Sequence, residues 1–198
     1  MTLTERLLAL AQLTLMDPRR AARVLLAEDV PMAARTAGLL LVAVVAAVLA
    51  SLPVGMQPGT VDPASAFMLS SPLRAAMIQW FFLALSVVLI HRVGRAFGGH
   101  GSFADALLIV VWLQFLMLGF QLLQLMAFVA SPPFAGLLGL AGIVLFFWLM
   151  ASFVAELHGF ASRGAVLAGI IGVTVAAGLL IGVAVILVVG PEVFLANV

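Results

Sequence analysis

The chain has 198 residues, 65% of them hydrophobic and only 9% charged, with a formal net charge of +1. A soluble domain carries about a quarter charged residues, so this polypeptide cannot cover its own surface with polar groups and needs lipid as solvent for much of it. It has no cysteine, which excludes disulfides, thiolate-bound metals, iron–sulfur clusters and thiol catalysis, and the near-neutral charge is no footprint for nucleic acid.

The first long apolar run begins only after Arg35. A cleavable signal would place its apolar core close to the start, so residues 1–34 read instead as a cytoplasmic segment of two short amphipathic helices. Thr4 is a candidate cap for the first, with Leu7, Leu8, Ala11 and Leu15 along one face. The second lies in "DPRRAARVLLAEDVP", with Asp17 as N-cap, Pro18 in the first turn and Pro31 beyond the end. Its apolar face is Ala21, Ala22, Val24 and Leu25, flanked by Arg19, Arg20 and Arg23. That pattern suits a helix lying on anionic lipid, with a cytosolic protein as the alternative partner.

A spanning helix needs about 20 apolar residues. The first such segment is 37–52, ended by Pro53, and the second is 73–90, with Arg74 at its edge where the stem can snorkel. From Ala106 to Ala155 there is no charge. That is too long for one helix, and "SPP" at Ser131–Pro133 divides it, because proline cannot donate to the helical ladder and restricts the residue before it. The third and fourth spans are therefore 104–130 and 134–156, and the fifth is 164–189, closed by Gly190 and Pro191. These runs are continuously apolar, unlike the short alternating strands of a membrane barrel. The expected fold is an all-α polytopic membrane bundle, residues 35–198, with five transmembrane helices behind the amphipathic segment.

All nine basic residues are arginines. Arg6, Arg19, Arg20, Arg23 and Arg35 precede the first span, Arg92 and Arg95 lie between the second and third, and Arg163 lies between the fourth and fifth; only Arg74 falls on the other side. Positive residues stay inside. The N-terminus is then cytoplasmic, and the 53–72 connection, the SPP turn and the tail "PEVFLANV" are periplasmic, in an inner membrane of the bacterial type that the Ala-, Gly-, Val-, Leu- and Arg-rich composition suggests.

Polar residues are few. In "RVGRAFGGHGSFADALLIVVW", Ser102 and Asp105 have the spacing of a helix cap, and the glycines suit a sharp turn. The GGHG run lacks the spacing and the strand-to-helix setting of a phosphate loop. His91, His100 and His158 fall at the same membrane face as Asp105 and Glu156, a candidate polar cluster able in principle to hold a metal or relay a proton. No H-x-x-x-H or H-E-x-x-H spacing is present, so no metal or cofactor is expected. Within the spans the polar groups are amides, Gln79, Gln114, Gln121 and Gln124, suited to interhelical hydrogen bonds or to a polar groove beside the third span. Ala135, Gly139 and Gly142, and then Ala165, Gly169, Gly172, Ala176, Gly178 and Gly182, allow close helix approach within the bundle or in a homo-oligomer.

Spans two and three repeat the layout of spans four and five: "WFFLALS" and then "GGHGSFADAL" in one hairpin, "FFWLMAS" and then "ELHGFASRGAVL" in the other. With the amphipathic N-terminus, the Asp-Pro helix, five spans, and Gly98, Gly99, Gly101, Ser102 and Phe103 entering the third span, the layout resembles the Yip family of integral membrane proteins in its bacterial branch. The resemblance implies a five-span fold with a cytosolic N-terminus and, for eukaryotic relatives, vesicle trafficking and binding of prenylated Rab-type GTPases. The family's acidic-Leu-x-Gly-Pro element is absent from the N-terminal region, where "EDVPMAAR" is only loosely similar, so GTPase binding does not carry over. The expected function is a non-enzymatic membrane protein that organises lipid or scaffolds a membrane assembly, with anionic lipid, a membrane-protein partner or a second copy at Arg19, Arg20, Arg23, Arg92 and Arg95. The alternatives are a small-molecule or lipid transporter along the glutamines of the third span and an accessory subunit of a larger complex.

Overall fold

The computed structural model describes residues 2–56 and 68–189. Most of the connection between the first two spans and the tail from Gly190 lie outside the described residues. Those described form seven long elements and no strand: α1 (Leu3–Met16), α2 (Pro18–Leu26), α3 (Met32–Met56), α4 (Pro72–Ala96), α5 (Phe103–Ala130), α6 (Pro132–His158) and α7 (Arg163–Val189). Five stretches are long and apolar enough to cross a membrane: Met32–Pro53, Pro72–Ala96, Phe103–Ala130, Pro132–His158 and Arg163–Ala184.

The helix boundaries follow local chemistry. Thr2 rather than Thr4 caps α1: its hydroxyl accepts from the Glu5 N–H at 3.3 Å, and the Glu5 carboxylate accepts from the Thr2 N–H at 2.9 Å. The reciprocal pair needs an acid three residues on, and Thr4 is followed at that distance by Leu7. Asp17 caps α2 through the Arg20 N–H at 3.1 Å, with Pro18 in the first turn. Pro53 does not end α3, which runs on to Met56; so near the end, proline removes only one ladder bond. Helix α4 continues six residues past Ile90, so His91, Arg92 and Arg95 are helical rather than in a loop. Polar residues are no obstacle once the helix has left the apolar layer. At the SPP sequence the turn is minimal, with Ser131 alone between α5 and α6.

Helices α3, α4, α5 and α6 pack in a bundle, and α7 lies chiefly against α6. The tightest core is formed by Val87, Ile109, Leu113, Leu149 and Phe153. It extends into α2, whose Ala21, Ala22 and Leu25 are buried in the same cluster. The apolar face of α2 therefore packs on α6 and α5, leaving Val24 exposed. Large apolar side chains such as Leu41, Phe81, Met126, Leu140 and Leu180 face outward, as a lipid-solvated surface requires. Small residues differ in use between helices. A side chain at Gly142 would strike the Phe120 ring and one at Gly139 the Gln124 amide, whereas Gly169, Gly172, Gly178 and Gly182 face open space.

Candidate functional site

The alternation of helices brings α2, the turn after α4 and the turn after α6 to one end, here called the arginine-rich end, with Ser131 at the other. Two glycines allow the turns. Gly98 and Gly159 have φ of 83° and 74°, the left-handed region that costs glycine nothing. The chain then closes α4 through Gly99 N–H to the Gly94 carbonyl at 2.9 Å and α6 through Phe160 N–H to the Ala155 carbonyl at 2.8 Å, the six-to-one bond of a Schellman end.

Between these turns sits His158, only 2% exposed. Its Nδ1 accepts from the Gly101 N–H at 3.2 Å and its Nε2–H donates to the Ile90 carbonyl at 3.1 Å. The two bonds fix one neutral tautomer, and the ring stacks on Phe160 with centroids 5.5 Å apart. Glycine makes the space. A Cβ at Gly94 or Gly99 would overlap the imidazole, and one at Gly101 would lie 2.6 Å from Leu157 Cγ and 2.8 Å from His158 Cε1. His91 reaches the next peptide along, its Nδ1 donating to the Gly101 carbonyl at 3.2 Å, with its ring edge-on to Phe103. The two histidines thus hold the peptide groups on either side of the Gly101 Cα.

The rest of the expected polar cluster is divided among other partners. Asp105 accepts from Arg35 Nη1 at 3.0 Å and from the Ser102 hydroxyl at 2.6 Å. Arg35 is buried and also donates from Nε to the Val30 carbonyl at 2.8 Å. Glu156 accepts from Arg23 at 3.1 Å, and His100 is exposed. A histidine–carboxylate cluster does not form, because each carboxylate has an arginine nearer than any imidazole. Among the described residues no group of three or more histidines and carboxylates is placed to hold a metal.

The five arginines expected to meet lipid or a partner separate into two sets. Arg19 donates to the carbonyls of Phe160 and Ala161 at 3.2 and 2.9 Å, and Arg23 holds Glu156, so both fasten α2 to the end of α6. Arg20, Arg92 and Arg95 are exposed. The amides of α5 do structural duty at the opposite end. Gln121 donates to the Ala46 carbonyl and Gln124 to the Ala135 carbonyl, each at 3.3 Å, and both border a cavity of about 200 Å³ with Leu49, Pro53 and Phe128. Gln114 and Gln79 are half-buried and do not line it.

Several anchors escape sequence reading. Trp112 Nε1–H donates to the buried Thr14 hydroxyl at 3.1 Å, tying α1 to α5 across 98 residues of sequence. The Arg35–Asp105 pair spans 70. For Gly94 one signal was available: a glycine inside a helical run costs about 1 kcal/mol against alanine and usually has a packing reason.

Comparison with curated proteins and with solved structures returns no match. A family model described as the Yip1 domain matches residues 13–187, a stretch that takes in the end of α1, both glycine turns, His158 and nearly all of α7. With five membrane-spanning helices and that match over most of its length, the chain belongs to the Yip1-domain family.

Proposed function

We propose that this multi-pass protein is a non-enzymatic organiser of a bacterial inner membrane, working through its arginine-rich end, which faces the cytoplasm and gathers anionic lipid or a membrane-protein partner. One observation carries the reading. The end is built as a fixed platform, with α2 packed into the core and fastened by Arg19 and Arg23, while Arg20, Arg92 and Arg95 stay exposed on it. A basic residue near an anionic leaflet contributes about 1 kcal/mol, so three exposed arginines on a rigid frame support reversible association with a charged surface. A transport path along α5 draws less support, since the amides of Gln121 and Gln124 are occupied by backbone carbonyls and Gln114 lies away from their cavity.

The test separates the two arginine sets. Arg20, Arg92 and Arg95 changed together to alanine leave the fold intact and weaken co-purification of lipid or protein partners in mild detergent, with the loss largest at low salt. Unchanged association at low salt contradicts the reading. Arg19→Ala and Arg23→Ala are unsuitable for this purpose because they also release α2.

A further inference from the structure

A groove of about 430 Å³ runs between α4, α6 and α7, bordered by Ser86, Val93, Phe97, Val154, Gly169 and Thr174. Its interior offers little to a polar ligand. The hydroxyls of Ser86 and Thr174 donate to their own helices, at the Phe82 and Ile170 carbonyls, each at 2.8 Å. From Arg163, where α7 enters the apolar layer, to Thr174 at the groove's depth the rise along α7 is about 16 Å. That is close to half of a hydrocarbon core about 30 Å thick, so the groove runs from one membrane face to the midplane. The mouth has one sign of charge. Residues 86–101 and 159–174, which flank it, contain Arg92, Arg95 and Arg163 and no carboxylate. Arg19 sits on the carbonyls of Phe160 and Ala161, while Glu156 is already paired with Arg23.

An occupant needs an apolar tail one leaflet long and an anionic head. A spanning helix of a second copy is the competing occupant; it brings no anionic head to the arginines at the mouth, and its signature would be a dimer mass in place of one retained lipid. We propose that the groove binds one acyl chain of an anionic phospholipid from the leaflet on the arginine-rich side, with the phosphate at the mouth. This deepens the lipid-organising reading above and rests on it.

The full-length protein, delipidated in detergent, is titrated with phosphatidylglycerol or phosphatidylcholine and the retained lipid is read by native mass spectrometry. The expected result is one tightly retained phosphatidylglycerol per chain, with phosphatidylcholine held about fivefold more weakly. A Cβ added at Gly169 meets nothing within 4 Å and Gly169 lines the groove, so Gly169→Leu projects into it and lowers retention about tenfold. Gly178→Leu, also facing open space but outside the groove, leaves retention unchanged. Arg163→Ala reduces the preference for phosphatidylglycerol. Size-exclusion profiles and melting curves confirm that the variants are folded. Equal retention by both leucine variants, or equal binding of the two lipids by the parent protein, overturns the proposal. Gly169→Leu leaves Arg20, Arg92 and Arg95 in place and keeps the low-salt association of the platform while losing the groove lipid, so failure of the platform reading and failure of the groove are distinguishable.

Discussion

His158 is held by a backbone N–H on one nitrogen and a backbone carbonyl on the other, and three glycines surround it. This predicts an energetic coupling. Gly94→Ala overpacks the site and lowers stability by about 1–3 kcal/mol, measured as thermal unfolding in detergent. Combined with His158→Ala, the added methyl meets vacated space, and the double variant is more stable than the sum of the single losses allows. Simple additivity contradicts the packing account. The residues at this end were visible in the sequence as types but not as partners. His91, His100, Asp105, Glu156 and His158 read as one cluster because all lie at one membrane level. Level fixes height and not azimuth, and azimuth gives Asp105 to Arg35 and Glu156 to Arg23. The glycines read as turn residues, which holds for Gly98 with its positive φ, while Gly94 and Gly99 are small because an imidazole lies against them.

Helices were the most legible level. Continuous apolar runs placed all five spans, since a backbone in lipid must satisfy its hydrogen bonds within its own segment. Ser131 and its two prolines were enough to divide α5 from α6. Boundaries at the water interface were less legible: α3 passes through Pro53, and α4 extends to Ala96. Apolar content does not report where a helix stops once it has left lipid. The small residues of α6 and α7 looked alike in sequence and differ in setting, which predicts different tolerance. Gly142→Leu drives a side chain into Phe120 and lowers stability by about 1–3 kcal/mol. Gly182→Leu, facing open space, stays within about 0.5 kcal/mol of the parent. Equal losses in unfolding assays contradict the assignment of close packing to these α6 glycines rather than to those of α7.

The whole molecule is a lipid-solvated bundle with one reinforced end. There α2 closes the core, Trp112 ties in α1, Arg35 pairs with Asp105, and two glycine turns meet at His158. The exposed arginines and the mouth of the groove between α4, α6 and α7 share that end, so platform and lipid slot would address the same leaflet. The central claim is that five crossings set this end and the Ser131 turn on opposite sides of the membrane, with the arginines in the cytoplasm. Because the chain has no cysteine, single cysteines report position without background. The most direct measurement is labelling of His100→Cys, Ser162→Cys and Ser131→Cys with a membrane-impermeant maleimide in intact and permeabilised cells. The account predicts that Ser131→Cys reacts from outside intact cells, while His100→Cys and Ser162→Cys react only after permeabilisation. Labelling of all three from the same side would contradict it.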